Sequence, residues 1–428
     1  MQHQIPKGTF DIIPYGTEES WRLTDLWHYV EAIIRQVASD YGYREIRTPI
    51  YEMTGLFDRG VGETSDIVTK EMFTFQDKGG RSVTLRPEGT SSVMRAFIEN
   101  NLANLGAVHK FFYIGPMFRY ERPQSGRYRQ HHQFGIEAIG NAGPEQDAEA
   151  IDLLCEFYKR VGLKNLEVHV NTVGDPESRN NFRSALLSYL KPRFGELSAE
   201  SQIRFEKNPL RILDSKDPKD KEIVKEAPSI LNHLTPAAKE HFQKLCQCLD
   251  LIGIPYVIDD RVVRGLDYYN KTVFEVMTTD LGAQNTIGGG GRFDGLISTF
   301  GGPDLPAVGW ATGLERVIQV LLAQKVSVPK TGRPLIYFIP MGDEAREKCF
   351  SLATDCRHHH IAAEVELNAK KMQTGIQNAV RAEAVYCAII GSDELQKGHL
   401  QLKNLQTREQ REVKLDHLLT ALKELSHA

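Results

Sequence analysis

Two strand-length runs, FFYIGPMFRY and QHHQFGIEAIG, lie between Phe111 and Gly140 on either side of the polar loop ERPQSGRYR. They constrain the fold more than any other feature, because a hairpin alone is barely stable in water and needs further strands or helices on one face. In the second run side chains alternate, so Phe134, Ile136 and Ala138 share one face while Gln133, Gly135 and Glu137 share the other. The first face belongs in a core. The second reads as a polar floor on which a ligand can lie, with Gly135 leaving room. Pro116 cannot donate to a sheet ladder, so the first run needs an edge or a bulge there.

From Thr17 to Gly42, apolar residues Leu23, Leu26, Trp27, Val30, Ile33, Ile34 and Val37 recur at helical spacing. They predict a long amphipathic helix with Glu18 and Glu19 in its first turn and Gly42 as its stop. YREIRTPIYEM follows, and its Thr48-Pro49 pair must be extended, which suits a strand at an edge or interface. Residues 175–258 turn charged, Pro-broken and helical. Strand-like KTVFEVMTT and turn-rich TIGGGGRFDGL then resume the earlier character, so the middle stretch reads as an insertion. KVSVPKTGRP has linker composition. Beyond it LIYFIP, a helix, IAAEVEL, a helix ending near Ala384, VYCAIIG, HLQLKNL and a last helix predict a separate α/β domain. The expected division is 1–327, carrying the insertion, and 331–428.

A chain of 428 residues exceeds the usual size of one domain. Its 52 Lys+Arg against 56 Asp+Glu supply no bulk attraction to polyanions, so a nucleic acid would meet only a local patch. Six scattered cysteines read as reduced thiols of a cytoplasmic protein. The start has no apolar signal core, and no run approaches the ~18 apolar residues of a membrane helix. The run His358, His359, His360 lacks acidic or Cys partners at ligand spacing and reads as a solvated helix end.

Arg119, Arg122, Arg127 and Arg129 crowd the loop between the two strands. Guanidinium forks on a hairpin suit a phosphate-rich ligand, although composition alone also fits a solvated loop. In VGWATGLERV the helix beginning near Gly313 buries Leu314, Val317, Ile318, Leu321 and Leu322, yet carries Arg316 in its first turn. A cation there opposes the helix dipole by roughly 0.3–1 kcal/mol and makes better sense beside a bound anion. The glycine run Gly288 to Gly291 permits close approach, but neither a P-loop nor a Rossmann fingerprint is present. Glu88, in the turn RPEGT, and Glu137 would repel phosphate unless a cation or an N–H donor stood between them. An amino acid combined with a nucleotide has both signs of charge.

VGETSDIVTKEMFTF, TLRPEGT, FRYERPQSGRYRQHHQFGIEAIG, RGLDYYNKTVFEV and AVGWATGLERV resemble, in this order, the bacterial histidyl-tRNA synthetases, a class II aminoacyl-tRNA synthetase family. The helix plus TPIYE resembles the class II dimer-interface motif, FRYER and its loop the second motif, GLERV the third, and RGLDYYN the histidine-specific signature. The resemblance implies an α+β fold: an antiparallel sheet flanked by helices, a helical insertion, and a separate C-terminal α/β anticodon-binding domain. It implies a homodimer that activates L-histidine with ATP, Mg2+ accompanying the phosphates, and transfers it to tRNA-His. Arg119 would hold the α-phosphate, and Arg127 and Arg316 the outer phosphates. Glu88, Thr90 and Gln133 would take the histidine ammonium, and Glu137 with Tyr269, beside Tyr268, the imidazole. Arg264 would bridge the substrate carboxylate and the α-phosphate, where other class II enzymes use a metal ion.

Two positions depart from the family pattern. His131 stands where an aromatic such as Phe commonly stacks on adenine, and Phe293 replaces a Tyr. Adjacent Tyr268 and Tyr269 cannot both face a pocket from a regular strand. Lys370, Lys371 and Arg381 are the basic patch through which the C-terminal domain would meet RNA, although a solvated face fits them too. The alternative function is a non-catalytic paralogue that binds histidine or nucleotide to regulate ATP phosphoribosyltransferase. Such paralogues typically lack the C-terminal domain and the Arg of RGLDYY, and this chain has both.

Overall fold

The computed structural model describes residues 3–62, 65, 67–122, 126–213, 215, 217–263, 266, 268–281, 285–330, 332–368 and 371–426. Two compact units divide the chain, Met1–Val328 and Pro329–Ala428. The first is built on β1 (Arg44–Glu45), β5 (His109–Phe118), β6 (Gln130–Ile139), β7 (Leu166–Thr172), β8 (Tyr256–Ile258), β9 (Asn270–Thr278), β10 (Thr286–Arg292) and β11 (Ala307–Gly313). These form one sheet in the order β1-β5-β6-β11-β10-β9-β7-β8, antiparallel except at its two edges, where β1 joins β5 and β8 joins β7 in parallel. A small sheet of β2 (Tyr51–Met53), β3 (Phe73–Gln76) and β4 (Ser82–Leu85) stands apart.

The strand alternation decides which face is core. Phe134, Ile136, Ala138, Phe274, Val276 and Trp310 are buried on one side of the large sheet. Helices α1 (Thr24–Asp40), α4 (Pro144–Val161), α8 (Pro236–Ile252) and α10 (Leu314–Ala323) cover that side. Helix α1 is shorter than its periodicity predicts. Ser20–Arg22 make a 3-10 turn, so Glu18 and Glu19 precede the helix and Asp25 occupies its first turn. The cause is a bridge to the N-terminal segment: Ile13 N–H donates to the Arg22 carbonyl and Thr24 N–H to that of Ile13. Leu322 in α10 is half-buried rather than buried.

Pro116 is accommodated because β1 covers only Phe111 and Phe112, leaving that edge of β5 open further along. There the Pro116 carbonyl accepts from Arg86 Nε at 2.9 Å. The segment around Thr48-Pro49 becomes two short pieces, β1 and β2, at the edges of different sheets. TIGGGGR is not a turn but the central strand β10. A Cβ at Gly290 would strike the Gly309 carbonyl and one at Gly291 that of Thr272, so these two glycines allow close approach of the neighbouring strands, while Gly288 and Gly289 line a cavity.

The helical stretch over 175–258 divides in two. Helices α5 (Pro176–Leu190), α6 (Ala199–Lys207) and α7 (Pro218–Val224) enclose their own core of Phe182, Leu186, Leu190, Ile212 and Val224. Helix α8 instead packs Phe242, Leu245 and Leu249 into the main core. Near the small sheet, α2 (Thr54–Val61), α3 (Thr90–Glu99) and α9 (Leu296–Thr299) complete the unit.

In the second unit β12 (Ile336–Pro340), β13 (Ala363–Val365), β14 (Tyr386–Ile390), β15 (His399–Asn404) and β16 (Gln410–Lys414) form a sheet ordered β13-β12-β14-β15-β16. The first three strands are mutually parallel and the last two antiparallel. Around it lie α11 (Asp343–His358), α12 (Met372–Arg381), α13 (Ser392–Lys397) and α14 (Leu418–Ser426). Strand β16 and helix α13 are absent from the sequence reading; β16 buries only Val413, so no alternation marks it. Lys371 stands just before α12 and Arg381 is its last residue, so the helix spaces them by about 15 Å instead of gathering them. Lys370 lies outside the described residues. His358 ends α11, and His359 Nδ1 lies 2.8 Å from the Asp355 carbonyl oxygen. Among the described residues no helix is long and apolar enough to cross a membrane.

Candidate active site

The face of the large sheet opposite the main core carries the polar floor. Glu137 projects from β6, fully buried, between Phe111 of β5 and Gly309 of β11. A Cβ at Gly309 would collide with Glu137 Oε2, so glycine is what lets the carboxylate lie there. Thr90 Oγ1 donates to Glu137 Oε1 at 2.7 Å, while Oε2 is buried without a hydrogen-bond partner. Burial above all, and then Glu88, push the Glu137 carboxyl well above its usual range, against the Thr90 hydrogen bond. Glu88 accepts from the backbone N–H groups of Thr90 at 2.6 Å and Ser91 at 2.9 Å. It thereby satisfies orphan donors at the start of α3. On the same face of β6, Gln133 Oε1 is also buried and unpartnered. Two unpaired buried acceptors suit a ligand that brings N–H groups.

The arginines form a second grouping. A cavity of about 880 Å³ is lined by Arg119, Arg127, His131, Gln133 and Arg316, among others. Arg119 is aimed by its Nε bond to the Pro87 carbonyl at 2.9 Å, next to Glu88. Arg127 pairs with Glu121 at 2.9 Å. Arg316 leaves the axis of α10 to reach the Thr286 carbonyl and, at 3.3 Å, that of Gly126. Burial and then the like charge of Arg127 lower its pKa. Burial, followed by Arg119, holds His131 well below the usual histidine value, so its ring is neutral at pH 7.

Of the residues expected from sequence, Arg119, Arg127, His131, Gln133 and Arg316 therefore share one cavity. Glu88, Thr90, Glu137, Tyr268 and Tyr269 do not line it; Glu88, Thr90, Glu137 and Tyr269 are buried and Tyr268 is half-buried. Two expectations change. The room over Gly135 is not empty, because a Cβ there, or at Gly89, would run into the Tyr113 ring. Tyr268 and Tyr269 do face the same way: they precede β9 in a turn, their rings 4.6 Å apart and both against Phe293. Burial, Tyr269 and the two carboxylates raise the Tyr268 hydroxyl well above its ordinary value. Arg264 lies outside the described residues.

Two residues escaped the sequence reading. Tyr113 is buried opposite Gly135 across β5 and β6, and Glu88, Glu137 and Thr90 all act on its hydroxyl. Strand parity applied to the first run as well as the second would have found it. Glu315 is buried in the first turn of α10 and accepts from His132 N–H at 2.8 Å, with His132 Nδ1 at 3.0 Å. It supplies the negative charge that a helix N-terminus favours, so Arg316 does not by itself require a bound anion there.

Comparison with known proteins adds the following. A family model described as histidyl-tRNA synthetase matches residues 24–317, and one described as an anticodon binding domain matches 336–425. A histidine–tRNA ligase of Protochlamydia amoebophila is 53% identical over 423 residues, 99% of this chain and 100% of that protein. A histidine–tRNA ligase of Desulforamulus reducens is 46% identical over 418 residues, 98% of each chain. The crystal structure of apo histidyl-tRNA synthetase from S. aureus superposes with a TM-score of 0.82 at 35% identity, covering 99% of this chain and 100% of that one.

Proposed function

Since the chain belongs to the histidyl-tRNA synthetase family, we propose that it is a histidine–tRNA ligase, which activates L-histidine with ATP and transfers it to the 3′ end of tRNA-His. The observation that carries this reading is a cavity in which Arg119, Arg127 and Arg316 accompany a neutral His131, together with the unpaired acceptors Gln133 Oε1 and Glu137 Oε2 on β6. The histidine carboxylate attacks the α-phosphorus, the bond to pyrophosphate breaks, and the adenylate forms. Arg119 holds the α-phosphate and Arg127 with Arg316 the outer phosphates, so the chain contributes orientation and charge stabilisation and needs no general base. His131 stacks on adenine. Arg264 bridges substrate carboxylate and α-phosphate; this role rests on the family resemblance alone.

Glu88, Thr90 and Gln133 take the histidine ammonium, and Glu137 with Tyr268 and Tyr269 the imidazole. A pocket that hydrogen-bonds both ring nitrogens rejects isosteres by leaving its own buried groups unpaired. Mg2+ is proposed as an ion carried by the ATP phosphates. The tRNA 3′-terminal hydroxyl then attacks the adenylate carbonyl and AMP leaves. The domains follow the same reading: 1–327 catalyses and 331–428 reads single-stranded anticodon bases, with phosphate contacts that weaken with salt. Exposed Ile50, Tyr51 and Met53 support the homodimer. A cytoplasmic location completes the proposal.

Histidine-dependent exchange of labelled pyrophosphate into ATP tests the first step, and charging of tRNA-His the second. Histidine binding without exchange would favour the regulatory paralogue, which the full-length relatives and the anticodon-domain match oppose.

A further inference from the structure

Two backbone carbonyls at the signature RGLDYYN, that of Val262 two residues before it and that of Tyr269 within it, are held by side chains from elsewhere. Asn171 of β7, fully buried, donates to Val262 at 3.0 Å. Arg179, in the first turns of α5, donates through Nη2 to Tyr269 at 2.8 Å. One residue before Val262, Arg261 reaches in the opposite sense, donating to the carbonyls of Lys225 and Ala227 in the insertion, both at 3.2 Å.

Arg179 is itself fixed. Asp175 caps α5 by accepting from Ser178 N–H at 2.8 Å, and Thr235, just before α8, donates to both Asp175 Oδ2 and Ser178 Oγ. The chain's entry to and exit from the insertion are thereby tied together at its root. Arg179 projects from that root onto Tyr269, while Arg261 grips the insertion's body.

We propose that Arg179 and Arg261 are positioning residues: they anchor the histidine-recognition segment to the insertion, so that the insertion sets the geometry of the histidine pocket. The proposal rests on the reading that Tyr269 belongs to that pocket. A guanidinium bonded to the Tyr269 carbonyl fixes the ring without touching substrate. Neither arginine lines the cavity that holds Arg119 and Arg316. Loss of Arg179, which holds Tyr269 directly, should therefore act on histidine and spare ATP, whereas Arg261 acts through the insertion, whose Glu200 and Arg204 also line that cavity.

Steady-state pyrophosphate exchange on the full chain, with thermal unfolding of each variant, tests this. Arg179→Ala should raise KM for histidine by about tenfold or more while KM for ATP stays within about twofold. Arg179→Lys, which retains a cationic donor, should recover most of the loss, and Arg261→Ala should shift KM for histidine in the same direction. Unchanged histidine KM in both alanine variants overturns the proposal. So does a parallel rise of both KM values with a lowered Tm, which marks general loosening. Tyr269→Phe is the control for the underlying reading: if it leaves histidine KM untouched, Tyr269 is not in the pocket and both readings fall together.

Discussion

Thr90 Oγ1 donates to Glu137 Oε1 at 2.7 Å and leaves Oε2 buried with no partner, so the best-satisfied oxygen of this carboxylate sits beside its least satisfied one. The cost of burying that charge falls on the free protein. Glu137 is raised in the folded state above the 4.5 of an unperturbed Glu, so the folded state disfavours the ion and loses stability as pH rises from 4.5 towards the folded pKa. Glu137→Gln removes the charge while preserving an acceptor for Thr90. Its stability should match the wild type near pH 4.5 and exceed it increasingly as pH rises from there towards the folded pKa, by up to ~1.4 kcal/mol per pH unit. Histidine affinity should fall in the same variant. A pH-independent Tm difference would place the carboxylate's destabilisation elsewhere.

His131 provides a flat ring between Arg119 and Arg316, and its depressed pKa keeps it neutral. A base stacked on an aromatic ring gains about 1–3 kcal/mol, so His131→Ala should raise KM for ATP roughly 5- to 150-fold. His131→Phe should stay close to wild type. Between pH 6 and 8 the wild-type KM for ATP should show no inflection from this ring. An inflection near 6.5 that vanishes in the Phe variant would contradict the neutral stack.

The sequence was most legible where period and chemistry coincide. On β6 the alternation separates Phe134, Ile136 and Ala138 from Gln133 and Glu137 without any knowledge of partners, because a strand has only two faces. Tertiary contacts hide the rest. Tyr113 fills the space over Gly135 through register with β5, and Gly290 and Gly291 of β10 serve close strand packing. Helix α8 looks like the other charged helices of the insertion, yet its apolar stripe faces α4 and not their core. Edge strand β16 has too few buried positions to leave a periodic trace.

Arg316 combines two tasks that lysine cannot. Its guanidinium is braced by the carbonyls of Gly126 and Thr286, from the arginine loop and β10, and it lines the cavity. A lysine ammonium matches the charge but not the planar fork. Arg316→Lys should therefore lose about 10²-fold in kcat/KM for ATP, comparable to removing one oriented donor from a charge-stabilising site. Histidine affinity measured by calorimetry should be unchanged. Near wild-type exchange by the lysine variant would reduce the role of Arg316 to simple charge.

Asp147 joins three elements that no local pattern connects. Arg292 of β10, itself fully buried, donates to it through Nε at 2.9 Å, His241 of α8 through Nε2 at 2.8 Å, and Thr272 of β9 through its hydroxyl. Burial alone would raise the Asp147 carboxyl, but His241 and Arg292 outweigh it and hold it below 3.8. A carboxylate lowered on folding stabilises above its unfolded pKa and loses that contribution as pH falls through the folded one. Asp147→Asn removes the fully buried counter-ion of Arg292 and leaves it only Asp294, at 3.1 Å, so the deficit should approach the roughly 3–5 kcal/mol typical of a broken buried pair without exceeding it. Urea unfolding followed by tryptophan fluorescence should show that deficit in full at pH 7 and a narrowing gap below pH 3.8. Because neither Asp147 nor Arg292 lines the cavity, KM values of the folded variant should stay near wild type. A variant of wild-type stability would mean that Asp294 and the backbone carbonyls of Asn141 and Gly143 suffice for Arg292.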